Sequence, residues 1–289
     1  MIPAAFDYHA PEGLDEALSL LGEHGMDAKL LAGGQSLIPM MRFRLAEPGV
    51  LVDLNRVPGL DGLREEDGTL RIGAMTRHAE VEASELVQSR YPLLADAAEV
   101  IADPLVRNRG TVGGSLAHAD PAGDWGAVML ASGAEMIARG PDGERAIPAD
   151  DLFVALFTTT LQPDEILTEV RLPAAEPGHG GAYEKLERKV GDFATVASGV
   201  RVELDEEGVC RSAGIGLTAV GGTNLRAPEA EGTLEGSPLD EERIEAAAEK
   251  AAEECDPTSD NRGSEAYKRD MVRVLTGRAL RRAAERARA

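Results

Sequence analysis

Glycine pairs followed by small polar residues are the segments whose residue types suggest ligand chemistry. The first lies in "LLAGGQSLIPMMRFRL", where Gly33 and Gly34 end an apolar run and Gln35 and Ser36 follow. Glycine lacks a Cβ, so such a turn reaches positive φ easily and lets a ligand approach the backbone. Its successive N–H groups can converge on an anion, and the start of a following helix adds further N–H donors. The pattern is typical of a phosphate site, although a plain tight turn has the same signature.

A second copy of the pattern lies in "RNRGTVGGSLAHAD", with Thr111 before Gly113, Gly114 and Ser115. We expect each glycine pair to follow an apolar strand. Two such turns facing each other could hold a diphosphate through backbone N–H groups and through hydroxyl and amide side chains, with no Arg or Lys inside either turn. Neither copy matches G-x-G-x-x-G or the Walker A sequence, so no motif supports a Rossmann or P-loop site.

Polar residues near the second pair admit two interpretations. His118, Asp120 and Asp124 follow it, and an acidic side chain there could bind a hydroxyl of a ribose or diphosphate. The alternative is that Asp120 or Asp124 caps a helix N-terminus. Lys29 and Lys185 are isolated lysines in sequence, and we interpret such residues as solvated surface positions.

Composition excludes several classes of function. The chain has 289 residues, 43% of them hydrophobic, and a net charge of −21, so nucleic acid is an improbable partner because its phosphates require a basic surface. No apolar run approaches the ~20 residues of a membrane-spanning helix, and the N-terminus lacks a signal-peptide pattern. Cys210 and Cys255 are too few for a zinc or iron–sulfur site. We therefore expect a cytoplasmic protein without its own metal centre.

The hydrophobic patterns predict an α+β protein. Short helices and strands alternate up to about residue 173, including a hairpin with Asp67-Gly68 at its turn. We expect residues 103–125 to be mostly loop, because they are rich in glycine and proline, and residues 174–185 to form a linker. An antiparallel sheet and two helices, at about 240–254 and 264–287, complete the chain.

Several segments together resemble one protein family. "AGGQSLIPMMRFRL", "DLN", "RNRGTVGGSLAHADPAGD", "DEILTEVRLP" and "YEKLERKVGDFATVASGV" are similar, in order and over residues 1–285, to the FAD-binding medium subunits of molybdenum hydroxylases, most of all the aerobic carbon monoxide dehydrogenase branch. The resemblance implies a PCMH-type FAD-binding domain at residues 1–175, with subdomains at about 1–55 and 56–175. A C-terminal flavoprotein domain at residues 176–289 is implied to follow it.

The resemblance also implies cofactor contacts, because in the family the two glycine turns clasp the FAD diphosphate. The positions carried over are Lys29, Leu30, Leu31, Ala32, Gly33, Gly34, Gln35, Ser36, Ile101, Thr111, Val112, Gly113, Gly114, Ser115, Asp124, Leu167, Lys185 and Phe193. Ile101, Leu167 and Lys185 match positions beside the flavin, and Phe193 matches an aromatic position near the isoalloxazine. No catalytic residue and no metal ligand is assigned to this chain.

Two departures from the family pattern keep their hydrogen-bonding capacity. Gln35 stands where many members have His, and Ser115 stands where Asn or Asp is common. FAD binding is therefore still implied. The substrate of the whole enzyme is not, because in this family the substrate binds on the large molybdenum subunit.

The function implied is electron transfer. A small iron–sulfur subunit passes electrons to the FAD of the medium subunit, an external acceptor removes them, and the large molybdenum subunit oxidises the substrate, often in a dimer of heterotrimers. We expect residues 103–124 to dock the iron–sulfur subunit, with the Arg-rich C-terminal helix as a second candidate. The alternatives are a self-sufficient FAD oxidoreductase, a diphosphate- or nucleotide-binding module without a redox role, and a structural subunit that has lost FAD.

Overall fold

Residues 2–289, which the computed structural model describes, form four β-sheets and twelve α-helices. The strands are β1 (Asp7–His9), β2 (Ala28–Leu31), β3 (Val50–Asp53), β4 (Leu63–Glu66), β5 (Thr69–Gly73), β6 (Glu135–Gly140), β7 (Gly143–Pro148), β8 (Phe153–Ala155), β9 (Thr158–Thr159), β10 (Ile166–Pro173), β11 (His179–Leu186), β12 (Val196–Leu204), β13 (Cys210–Thr218) and β14 (Leu225–Arg226). The helices are α1 (Leu14–His24), α2 (Leu37–Arg42), α3 (His78–Ala83), α4 (Glu85–Arg90), α5 (Pro92–Val100), α6 (Pro104–Arg107), α7 (Val112–His118), α8 (Asp124–Ser132), α9 (Ala149–Leu152), α10 (Pro228–Gly232), α11 (Glu241–Glu254) and α12 (Glu265–Ala287).

The sheets differ in direction. A small parallel sheet has the order β1-β3-β2, and an antiparallel sheet has the order β4-β5-β10-β6-β7. The third sheet, β11-β12-β13-β14, is also antiparallel, and β8 pairs with β9 alone. These sheets, together with the helices, confirm the predicted α+β class and the antiparallel sheet of the C-terminal part.

Local signals predicted several elements correctly. The hairpin of β4 and β5 turns at Asp67 (φ 50°) and Gly68 (φ 72°), as the Asp-Gly pair indicated. Helices α11 and α12 lie where apolar periodicity placed them. These elements depend on turn chemistry or on long amphipathic patterns, which a sequence shows directly.

The predicted linker at 174–185 is wrong over most of its length, because β11 begins at His179 and pairs along its whole length with β12. Its glycines serve packing. A Cβ on Gly180 would lie 2.0 Å from the carbonyl oxygen of Ala283 in α12, and one on Gly181 would lie 2.9 Å from the Cβ of Leu93 in α5. The glycines therefore let two helices lie directly against the strand.

The predicted loop at 103–125 is also wrong in part, because it contains α6 and α7. Pro104 occupies the first turn of α6, where a missing N–H costs nothing, and Asp103 caps that helix. The second glycine pair is helical and lies in the first turn of α7. Thr111, which precedes it, makes only an isolated antiparallel bridge to Arg77, so no strand leads into this pair.

Helix α8 is buried on every side, and this helix positions residues of the site. It lies against β13, where a Cβ on Gly214 or Gly216 would come within 2.0 Å of an α8 carbonyl oxygen. The core that includes α8 also contains Tyr183 of β11. A helix enclosed in this way fixes Asp124 and Trp125 at its first turn.

Candidate functional site

The first glycine pair forms an open cradle of backbone donors between β2 and α2. Gly34 has φ +74°, which re-aims the chain from the strand into the helix. The backbone N–H groups of 34–37 donate no hydrogen bond to any residue of 2–289, and the Ser36 side chain does not cap α2. Successive unpaired N–H groups at a turn and helix start attract an anion. The first pair therefore offers the unpaired donors that an anion site needs.

At the second glycine pair, the backbone N–H groups donate hydrogen bonds to other groups of the protein. The N–H of Val112 donates to Thr76 (3.0 Å) and that of Gly113 to Ala74 (2.8 Å). The N–H of Gly114 donates to the Thr111 hydroxyl (3.1 Å), which caps α7. The expectation that this pair also offers unpaired N–H groups is therefore wrong. Its half-buried Ser115 hydroxyl, which bonds to no other residue of 2–289, is the donor that it retains.

The two glycine segments lie in direct contact. A Cβ on Gly33 would lie 2.3 Å from the carbonyl oxygen of Arg109 and 2.7 Å from the Cα of Gly110. One on Gly114 would lie 3.3 Å from the Cβ of Ala32. Gly33 is therefore required by the close approach of two backbones, and its φ lies outside the left-handed region. The structure brings the two segments together, as their shared pattern predicted.

A buried ion pair lies further along the site. The Nζ of Lys185 lies 3.1 Å from Oδ2 of Asp124 and donates to the carbonyl oxygen of Val100 at 3.0 Å. The Tyr183 hydroxyl donates to the other oxygen of Asp124 at 2.9 Å. Burial raises the pKa of Asp124, and the Lys185 ammonium acts in the opposite direction.

This pair corrects two interpretations made from sequence. The Lys185 side chain is only 2% exposed, so it is not a solvated surface lysine. Asp124 does not cap α8, since Gly123 holds the N-cap position and no side chain caps that helix. Asp120 instead accepts the N–H of Ala122 within a turn. An unpaired charge at such a depth is costly, so Asp124 and Lys185 depend on each other.

His78 and Trp125 support the second glycine segment from behind. The indole N–H of Trp125 donates to Nδ1 of His78 at 3.0 Å. The backbone N–H of His78 in turn donates to the carbonyl oxygen of Gly110 at 3.1 Å. Burial lowers the pKa of His78 to about 4, so the imidazole is neutral at pH 7 and can accept the indole proton.

The other positions carried over from the family lie around these groups. Ile101 is buried directly after Val100, which accepts the bond from Lys185. Leu167 is buried in β10, next to Thr168, whose carbonyl oxygen bonds the N–H of Ala74. Phe193 is 53% exposed, and its carbonyl oxygen accepts a bond from Arg262. Lys29, Leu30 and Leu31 form the strand that leads into the first turn.

His118 is the last residue of α7. Its ring stacks on Phe157, with 4.9 Å between ring centroids. Burial lowers the pKa of His118. Nothing in these contacts gives it a role toward an anion.

Asn55 and Arg77 were not identified from sequence. Asn55 donates to the carbonyl oxygen of Ala32, and Arg77 donates to Asn55 and to the carbonyl oxygen of Arg109. Asn55 belongs to the "DLN" segment, but the family resemblance assigned no function to it. Arg77 belongs to no motif that we recognised in the sequence. Their partners lie in distant parts of the chain and become visible only in the fold.

This set of groups fits FAD chemically. A row of unpaired N–H groups and a serine hydroxyl can hold a diphosphate. The Ser115 hydroxyl lies 3.9 Å from the position that a Cβ would take on Gly123, the residue before Asp124, whose carboxylate pairs with the buried Lys185. Among residues 2–289, no helix has both the length and the apolar character needed to cross a membrane.

Two family models match consecutive parts of the chain. Residues 4–175 match the FAD binding domain in molybdopterin dehydrogenase. Residues 181–283 match the C-terminal domain of the CO dehydrogenase flavoprotein.

Individual relatives agree with these models. The chain is 46% identical to the carbon monoxide dehydrogenase medium chain of Hydrogenophaga pseudoflava, over 97% of each chain. It is 43% identical to the 6-hydroxypseudooxynicotine dehydrogenase complex subunit alpha of Paenarthrobacter nicotinovorans, over 100% of this chain and 97% of that one. A solved structure of carbon monoxide dehydrogenase from Hydrogenophaga pseudoflava, lacking the Mo-pyranopterin moiety, matches with a TM-score of 0.96 and 48% identity over 99% of each chain. The chain therefore belongs to the family of FAD-binding medium subunits of molybdenum hydroxylases.

Proposed function

We propose that this chain binds FAD and relays electrons from an iron–sulfur partner subunit to an external acceptor. The observation that carries this proposal is the row of unpaired N–H groups at 34–37, in contact with the second glycine segment. Bound FAD supplies the capacity to accept and release electrons. The protein's part is to hold the diphosphate, enclose the flavin and admit the partners.

We assign the diphosphate to the first turn, with Ser115 reaching it from the second segment. We place the flavin near Lys185, Ile101 and Leu167, with Phe193 at the surface beside it. At that end of the site the buried Lys185 ammonium is neutralised by Asp124 at 3.1 Å, and Glu187 lies 3.7 Å from it. These assignments follow the family positions, and the contacts around Ser115 and Gly123 support a continuous path between the two ends.

We further propose two partner subunits, a small one with iron–sulfur clusters and a large one with molybdenum, assembled as a dimer of heterotrimers. The two relatives named above carry the names of dehydrogenases that act on different substrates, and this chain matches each of them over 97% of its length. Their difference supports the idea that the substrate, whether carbon monoxide, an aldehyde or an N-heterocycle, is selected outside this chain. We also propose a cytoplasmic location, since both cysteines are unpaired thiols.

The docking face that we favour for the iron–sulfur subunit combines residues 103–124 with the loop 187–193. Leu105 is 78% exposed, and Val190 is 95% exposed. A Cβ on Gly191 would lie 2.9 Å from the carbonyl oxygen of Ala102, so the loop packs directly beside the start of this face. Exposed apolar side chains that gather in one patch mark protein–protein contacts, and the packing of the two segments supports such a patch here.

The Arg-rich helix α12 is a weaker candidate for docking, because two of its arginines form ion pairs within this chain. Arg282 and Arg286 both bond Asp96 of α5, at 2.8 and 2.7 Å. Their charges are therefore largely satisfied before any partner arrives. This leaves the face at 103–124 as our proposal.

Purification of the tagged chain from its host tests the function. We expect one FAD per chain and two co-purifying chains that carry iron–sulfur clusters and molybdenum. Substrate turnover by the FAD-loaded chain alone, at the rate of the complex, would favour a self-sufficient flavoenzyme. A colourless chain in the assembled complex would favour a structural subunit.

Variants test the docking face separately. Leu105→Asp and Val190→Asp should weaken retention of the small subunit. Met26→Asp should not weaken it, because Met26 is also exposed (76%) but distant in sequence from the proposed face. Equal retention by all three variants would contradict the assignment of this face.

A further inference from the structure

A series of polar side chains connects the two glycine segments, and the proposed electron-transfer function gives it no role. The series consists of Tyr8, Asp53, Asn55 and Arg77, and we call it the polar bridge. We infer that Asn55 and Arg77 are positioning residues that set the spacing between the first and second glycine segments, and thereby the geometry of the diphosphate site. The inference rests on the proposed FAD site.

Asn55 holds the first segment. Its Nδ2 donates to the carbonyl oxygen of Ala32 at 2.9 Å and also to Oδ1 of Asp53. The Tyr8 hydroxyl donates to Oδ2 of the same carboxylate at 2.6 Å. Both amide protons of Asn55 are thus committed, which leaves its Oδ1 facing Arg77 as an acceptor.

Arg77 holds the second segment. Its guanidinium donates through Nη2 to Oδ1 of Asn55 and through Nη1 to the carbonyl oxygen of Arg109. That carbonyl oxygen is the atom 2.3 Å from the position a Cβ would take on Gly33. Arg77 therefore bonds the carbonyl that lies against the first glycine pair. Its backbone also forms the bridge to Thr111, the cap of α7.

The bonding pattern requires the shape of an arginine as well as its charge. A planar guanidinium can bond two acceptors in a fixed geometry, whereas an ammonium on a flexible chain cannot hold two segments at a set distance. Burial is the main cause that lowers the pKa of Arg77, and nearby Arg109 adds to it. The carboxylates of Glu80 and Asp53 act in the opposite direction on this pKa.

Two variants that leave the charge of the site unchanged separate positioning from direct contact with the diphosphate. Arg77→Lys keeps the positive charge and removes the two-point bond. Asn55→Ala removes the donor to Ala32 and the acceptor for Arg77 and adds no charge beside Asp53. Arg56→Lys is the matched control, because Arg56 is exposed and bonds to neither glycine segment. A direct charge contact would survive in Arg77→Lys, whereas a positioning role would not.

The experiment uses the assembled complex and measures the FAD dissociation rate, the ³¹P resonances of the bound diphosphate and the thermal midpoint. We expect Arg77→Lys and Asn55→Ala to release FAD about five- to tenfold faster, the effect of one or two hydrogen bonds. We expect the ³¹P resonances to shift in both variants and to stay unchanged in Arg56→Lys. A purely structural role would lower the midpoint and the occupancy without moving the resonances of the FAD that remains.

Wild-type release rates and unchanged ³¹P resonances in both variants would overturn the inference while leaving FAD binding established. Wild-type complex without bound FAD would overturn the proposed function and the inference with it. If Arg77→Lys does not assemble, Asn55→Ala decides, because Asn55 is exposed and its replacement removes no core contact.

Discussion

At the first glycine pair, the backbone N–H groups of 34–37 are unpaired within residues 2–289, whereas at the second pair those of 112–114 all bond inside the protein. Gly34 lies at positive φ in an irregular turn, and Gly113 lies in a helix. The same pair of residues thus leaves backbone donors unpaired in one place and allows close packing in the other. A glycine pair predicts that another group approaches the backbone closely. The residues around the pair determine whether its N–H groups stay unpaired or bond within the protein.

The largest expected effect comes from adding a side chain where the two segments touch. We expect Gly33→Val and Gly113→Val each to destabilise the protein by about 3 kcal/mol and to leave less than a tenth of the FAD. A Cβ on Gly113 would lie 2.5 Å from the Cβ of Ala74, so both variants force backbones apart. Flavin absorbance per chain and thermal unfolding are the measurements.

Gly22→Ala is the control for these variants. Gly22 lies inside α1, and no atom lies within 4 Å of the position that a Cβ would take there, so alanine should be neutral or slightly stabilising. Wild-type FAD content in folded Gly33→Val would show that the two segments do not touch as described.

The second effect concerns the support behind the second pair. The pKa of His78 is lowered to about 4 in the folded state by burial, against 6.5 for an ordinary histidine. Between pH 6.5 and about 4, His78 therefore binds a proton in the unfolded chain and not in the folded chain. The free energy of unfolding falls as the pH drops through this range. The loss from this residue is about 3 kcal/mol.

His78→Asn isolates this contribution, because asparagine keeps an acceptor for Trp125 and does not titrate. The pKa of His179 is also lowered to about 4 by burial, so the variant should lose part of the acid sensitivity and not all of it. His24→Asn serves as the control. An unfolding free energy that falls equally steeply in wild type and in His78→Asn would count against a buried neutral imidazole behind this segment.

A smaller effect should distinguish the hydroxyls of the two segments. Ser115 is the donor that the second pair retains, whereas Ser36 lies among several unpaired N–H groups. We expect Ser115→Ala to weaken FAD by about 1–2 kcal/mol, roughly 5- to 30-fold, and Ser36→Ala by less than about 1 kcal/mol. Titration of the apo complex with FAD measures both. The reverse order would mean that the hydroxyl of the first turn is the main side-chain contact.

The smallest effect should come from the neighbouring arginines. Arg42 and Arg109 are both exposed, and backbone donors suffice for the diphosphate in our proposal. Arg42→Ala and Arg109→Ala should each change FAD affinity less than threefold. Complete loss of FAD from either folded variant would show that a cation is the main anchor.

The parts of the fold that were predictable depend on local chemistry. The Asp67-Gly68 turn, the first glycine turn and the two C-terminal helices have sequence signals that need no distant partner. The first glycine turn could be predicted because its positive φ and the helix that follows it depend on adjacent residues.

The rest depended on residues far apart in sequence. Gly180 and Gly181 resemble a flexible linker until α12 and α5 are seen against them. Lys185 resembles a surface residue until Asp124 is placed 3.1 Å away. Arg77 bonds both Asn55 and the carbonyl oxygen of Arg109, and no spacing in the sequence predicts these two contacts.

Amide hydrogen exchange, compared residue by residue in the FAD-free and FAD-loaded complex, tests the difference between the two glycine pairs most directly. FAD should slow exchange strongly at residues 34–37, whose N–H groups are unpaired without it, and should change exchange little at 112–114, which are already bonded. Strong new protection at 112–114 with none at 34–37 would contradict the assignment of the diphosphate to the first turn.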